Sequence, residues 1–229
     1  MNAATWFRFD THNEGEVVHK ISREWWLLVA TGESLVKSSK RAHDIHREYL
    51  GDFVPAETDV QLYGPDGQII VHQEMIKGCQ HVDLIEEKNN PELLRLLEDG
   101  ARMQKEQGIL FDILGMQGMI EAWNNRFKDH KIKKVSDFLT PANAGLLKIF
   151  FGTSPETLSM LRDSFPGGLI AYNILKSPEW KFYFCDNTDL RHLKKFPIHP
   201  EHVLNKLGNW ITNLVLKENG LPRASDTGS

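Results

Sequence analysis

The stretch LIAYNILKSPEWKFYFCDNTDL, Leu169 to Leu190, decides how the chain is read. Two apolar runs, Ile170 to Leu175 and Lys181 to Cys185, flank Ser177-Pro178-Glu179. β-prone runs on either side of a proline turn predict a β-hairpin. Asn173 enters the first strand and Asp186 leaves the second, so folding back brings an amide oxygen and a carboxylate to one side. Magnesium takes such oxygen ligands and is commonly shared between one or two protein groups and substrate phosphates. Asn and Asp also favour strand ends and turns on their own account. The pair therefore admits a metal-binding and a purely structural reading.

The chain around it has 229 residues, 41% hydrophobic and 25% charged, with a net charge of −4 and a pI near 6.2. This is a globular composition with length enough for one compact unit or two small lobes. The acidic balance argues against nucleic acid as a partner and gives no general attraction to anionic membranes; Lys128 to Lys134 is a local basic exception, read as a solvated face. Cys79 and Cys185 lack the spacing of a disulfide framework or a zinc site. No apolar run reaches the roughly 18 residues of a membrane span, and MNAATWFRFD lacks the basic-then-apolar order of a signal peptide. A cytoplasmic protein without a membrane span is expected.

Ahead of the hairpin the elements alternate. Thr5 to Asp10 and Val17 to Ile21, around His12-Asn13-Glu14-Gly15, predict a first hairpin. Glu33 to Leu50 predicts an amphipathic helix ended at Gly51. Thr58 to Tyr63 and Gln68 to Met75, around Gly64-Pro65-Asp66-Gly67, predict a second hairpin. Asn90-Pro91-Glu92 opens a helix with an apolar face at Leu93, Leu94, Leu97, Ala101 and Met103, closed at Gly108. The ten histidines make no metal constellation, and His43 and His46 are expected at the surface.

Asp112 follows, inside the apolar run Gly108 to Leu114. Burying a carboxylate is costly unless it is paired or hydrogen-bonded. It is either a chemical group or the cap of a helix from Leu114 to Phe127. Further on, Met119 to Phe127, Val135 to Thr140, Ala144 to Phe151 and Thr157 to Leu161 read as short helices between proline- and glycine-rich breaks. A last helix, Glu201 to Leu216, precedes a polar tail.

Asn173-Ile174-Leu175, a short hairpin and then Asp186 resemble the metal-binding half of protein-kinase-like folds, where an Asn and an Asp hold the metal ions. The position of the usual DFG motif reads Asp186-Asn187-Thr188, which resembles the bacterial kinase-like phosphotransferases such as aminoglycoside and lipopolysaccharide-core kinases. The resemblance implies an α+β, two-lobed fold. A truncated β-sheet N-lobe would cover 1–78, and a mainly helical C-lobe 79–218 would carry an insertion at about 119–168 before a disordered tail at 219–229.

It also implies ATP and Mg2+ as cofactors. Lys20 in Val17-Val18-His19-Lys20-Ile21 would anchor phosphate, with Glu33 or Glu48 as its carboxylate partner and Glu33 nearer in the chain. The backbone of Glu74, Met75 and Ile76 would hold adenine. Asn173 and Asp186 would hold magnesium, and Asp112 the acceptor hydroxyl during transfer of the γ-phosphoryl group.

Two features depart from the family pattern. No glycine-rich phosphate loop precedes Lys20, and Asn173 lies 61 positions after Asp112 where the family places it about five residues on. Two functions follow: a phosphotransferase acting on a hydroxyl of a small molecule, lipid-linked sugar or protein, or a pseudokinase or regulatory module that binds a partner. A helical protein with incidental hairpins is a third reading.

Overall fold

The computed structural model describes residues 6–14, 17–25, 32–56, 58–63, 68–109, 111–133, 137, 140, 143, 146, 168–185 and 211–222, with the backbone alone up to residue 35. The chain is α+β, with helices set beside two small antiparallel sheets. It divides into two compact units, Met1–Cys79 with Cys185–Leu190, and Gln80–Phe184 with Arg191–Ser229.

The first unit is built on a four-stranded sheet in the order β1-β2-β4-β3. β1 (Trp6–Glu14) and β2 (Val17–Trp25) form a hairpin longer than the apolar runs predict, pairing from Glu14 opposite Val17 to Trp6 opposite Trp25. Hydrogen bonding carries the strands on through polar residues that hydropathy alone does not mark. β3 (Thr58–Tyr63) and β4 (Gln68–Glu74) form the second hairpin, and β4 pairs with β2 from Val17 opposite Glu74 to Ile21 opposite Ile70.

Helix α1 (Gly32–Leu50) packs on β3 and β4 and ends where Gly51, at φ 54°, turns the chain into a short 3-10 turn. Ala42, Leu50, Phe53, Val54, Val60, Ile70 and Val71 form its core. His46 is in that core, contrary to the surface expected from its sequence: it is fully buried, with Nδ1 donating to the Ala42 carbonyl at 2.8 Å. That bond pairs one ring nitrogen of the buried imidazole with the backbone of its own helix. His43 is half-buried, and burial first, then the Arg47 charge, pulls its pKa below the ordinary value.

The second unit holds a three-stranded sheet, β5 (Gln80–Asp83), β6 (Ile170–Lys176) and β7 (Phe182–Phe184), with β6 central. The β6–β7 hairpin read from Pro178 is present, closed by bonds between Ser177 N and Lys181 O and between Trp180 N and Ser177 O. β5 was not legible: four mostly polar residues make a strand only because β6 offers an edge, and a bulge at His81/Val82 adjusts the register.

Helix α2 (Pro91–Gln107) begins with Asn90 accepting from Glu92 N and ends at Gly108 in the left-handed conformation, as its end residues predict. α3 (Gly115–Arg126) and α4 (residues 211–218) follow. Leu93, Leu96, Leu97, Met103, Ile113, Trp123, Ile174, Phe182 and Phe184 are fully buried here. The expected helices at Val135 to Thr140, Ala144 to Phe151 and Thr157 to Leu161 lie almost wholly outside the described residues, as do Glu201 to Trp210. No described helix is long and apolar enough to cross a membrane.

Candidate functional site

The chemistry gathers around Asp112 in the second unit. Between α2 and α3 the chain turns at residues 111–114, and tertiary contacts hold it residue by residue. The buried side chain of Gln104 accepts from Phe111 N at 3.1 Å. The Phe111 ring lies against the α2 backbone at Gly100, where a Cβ would overlap it, and meets Phe184 of β7 with ring centroids 4.9 Å apart.

Asp112 is 4% exposed, and its Oδ1 accepts from Leu114 N at 3.2 Å and Gly115 N at 3.0 Å. These are the first N–H groups of α3, which otherwise lack intrahelical partners. The helix-capping reading of Asp112 is therefore present in the structure. It also explains how a carboxylate tolerates burial in an apolar run.

β6 joins this turn through one residue. Asn173 N donates to the Ile113 carbonyl at 3.2 Å, and Asn173 Nδ2 donates to the Asp112 carbonyl at 2.8 Å. Asn173 Oδ1 faces Gly115, lying 3.0 Å from where a Cβ would stand. Gly115 has φ 65°, so its lack of a side chain serves both the backbone turn and the approach of the amide. Thus Asp112 and Asn173, 61 positions apart in the chain, share one hydrogen-bonded turn.

Beside Asn173, the Tyr172 hydroxyl donates to Glu121 Oε1 at 2.6 Å, and Gln117 Nε2 donates to the same oxygen at 2.8 Å. The bond to Glu121, then burial and the Glu121 charge, push the Tyr172 phenol up to about 12. The His81 ring stands 4.7 Å from that of Tyr172. Sequence patterns gave no signal for this cluster, since its members come from β5, α3 and β6.

The remaining sequence candidates fall elsewhere. Lys20 occupies the register position on β2 between Thr11 and Val71, and Glu33 is in the first turn of α1; the structure describes neither side chain. Glu48 is exposed on the same helix. Glu74 closes β4, and its Oε2 accepts from Ala56 N at 2.9 Å, which ties the strand to the α1–β3 connection. Met75 and Ile76 follow half-buried, ahead of the turn at Gly78, φ 65°. Asp186 lies outside the described residues.

As for metal, an amide oxygen such as Asn173 Oδ1 is a hard ligand of the kind magnesium takes. Among the described residues no group of three or more His, Cys, Asp or Glu could hold an ion. Cys79 and Cys185 are both free thiols. No family of known proteins, no curated protein and no solved structure matches the chain.

Proposed function

We propose that the protein is a divergent kinase-like phosphotransferase of two lobes, moving the γ-phosphoryl group of ATP to a hydroxyl acceptor with magnesium. The observation that carries the reading is the bond from Asn173 to the Asp112 carbonyl. This reading needs Asp112 and Asn173 near each other, and the bond supports it by joining the Asn173 side chain to the Asp112 backbone across 61 positions. The order of hairpin, helix, hairpin and connecting segment in the first unit is the second support.

In this reading Lys20, paired with Glu33, holds phosphate, and the backbone of Glu74, Met75 and Ile76 holds adenine. Asn173 and Asp186 hold magnesium, which when bound neutralises charge on the transferring group. Asp112 orients the acceptor hydroxyl and takes its proton. Asn173 holds the Asp112 carbonyl and Gln104 the neighbouring Phe111 N–H in advance, so orientation costs little at the moment of transfer.

The test is transfer of labelled γ-phosphoryl from ATP to a panel of hydroxyl acceptors, with Asp112→Asn as the control. Magnesium-dependent transfer that falls by about a hundredfold or more in the variant is expected. Transfer unaffected by Asp112→Asn would remove Asp112 from the reaction.

A second reading, a pseudokinase or regulatory module, is favoured by one specific observation. Asp112 Oδ1 is engaged by the two N–H groups of α3, a role that serves the fold without catalysis. Nucleotide binding without transfer to any acceptor would support it.

A further inference from the structure

Residues Arg126 to Lys134 carry five Lys or Arg against one Asp, in a chain of net charge −4. A helix C-terminus attracts cations within its last turn. That accounts for Arg126 and Lys128, at the end of α3, and leaves Lys131, Lys133 and Lys134 unexplained.

The segment is built, and Lys128, Lys131 and Lys133 are displayed on it. Asn124 grips Ile132 from both sides, with Nδ2 donating to the Ile132 carbonyl at 2.9 Å and Oδ1 accepting from Ile132 N at 2.7 Å. Trp123 Nε1 donates to the His130 carbonyl at 2.8 Å, and Lys133 N donates to Asp137 at 2.9 Å. Ile132 is buried, while Lys128, His130, Lys131 and Lys133 are exposed. The backbone is pinned inward and these three lysines face water.

Residue type then narrows the partner. Four of the five cations are Lys. Lysine is a hydrated point charge, whereas gripping one phosphate or carboxylate in a fixed geometry is the work of arginine. Single-stranded nucleic acid is held by stacking on aromatic platforms. Here Trp123 is buried and Phe127 is packed on it, ring centroids 4.6 Å apart. The one aliphatic residue of 128–133 is the buried Ile132, so the loop has no apolar wedge to insert.

We propose that this loop is an electrostatic docking surface for the anionic face of a lipid bilayer. Basic residues close to such a surface contribute about fivefold each to partitioning, and the effect fades within a Debye length. With charge as its single signal, the attachment is reversible and salt-sensitive.

The test is sedimentation of the full chain with vesicles of phosphatidylcholine alone and of phosphatidylcholine with phosphatidylserine at about 7:3. The variant is Lys128→Ala/Lys131→Ala/Lys133→Ala, with an unchanged Tm as the check on its fold. Binding to the anionic vesicles only, weakened about a hundredfold in the variant and abolished by high salt, is expected. The salt dependence of the parent chain tests the proposal independently of any variant. Equal partition onto neutral vesicles, no binding to either, an unaffected variant, or tighter lysine-dependent binding to duplex DNA or polyglutamate would overturn it.

Discussion

The Asn173 side chain donates to the backbone carbonyl of Asp112 at 2.8 Å, bridging 61 positions of sequence. Asn173→Ala removes that bond from a buried turn, at a cost of about 0.5–1.5 kcal/mol. In a chain of this size that lowers Tm by about 2–4 °C per kcal/mol. Asn173→Asp is expected to cost more than Asn173→Ala, because it sets a carboxylate against the Asp112 carbonyl. Thermal denaturation of both variants checks the order, and an aspartate variant as stable as the parent would remove the bond from the account.

Gly100→Ala is expected to reverse the usual helix rule. In a helix interior alanine is ordinarily better than glycine by about 0.5–1 kcal/mol. Here the added methyl would overlap the Phe111 ring, so overpacking of about 1–3 kcal/mol wins. Phe111→Leu is costly alone and should recover part of the loss when combined with Gly100→Ala. A double-mutant cycle by urea denaturation measures that coupling.

Lys176 of β6 is 8% exposed, pairs with Glu87 and lies under the Trp180 ring, 3.5 Å from its centroid. Burial pushes the Glu87 carboxyl up, but the bonds from Lys176 and Asn90 outweigh it and hold the pKa below 4.5. A depressed folded-state pKa contributes stability that is present above the unfolded value and lost as pH falls through the folded one. Lys176→Met should therefore lower stability at neutral pH and flatten its decline below pH 4.5. Chemical denaturation of both proteins across the acid range checks the slope.

Tyr172 should titrate late, at about 12. Its folded pKa lies above the unfolded value of 10.0, so the contribution to stability is full below pH 10.0 and is lost as pH rises toward about 12. Glu121→Gln should bring the titration back toward 10.0, read by tyrosinate absorbance. An unchanged titration in Glu121→Gln would show that the carboxylate does not control the phenol.

Elements whose ends carry their own chemistry were legible in the sequence. Asn90, Pro91 and Gly108 mark both ends of α2, Pro178 marks the β6–β7 hairpin, and the sequence Gly64-Pro65-Asp66-Gly67 marks the β3–β4 pair. Contacts that cross the chain left no local trace. Nothing at Gly100 announces that the Phe111 ring lies on it, and β5 exists only because β6 has an edge to pair with. Asp112 read as either cap or catalytic group because both roles require the same residue type, and the two N–H bonds at Oδ1 became visible only in three dimensions. The Asn173–Asp112 bond joins a strand to a turn across the residues between them, and no periodicity encodes such a contact.

Thermal stability of the parent chain, Lys20→Ala and Asp186→Ala, with and without ATP and magnesium, tests the nucleotide site most directly, because a ligand of the folded state raises stability by mass action. The account predicts a magnesium-dependent rise in Tm for the parent that both variants lose. No rise at millimolar nucleotide, or a rise that both variants keep, would contradict it.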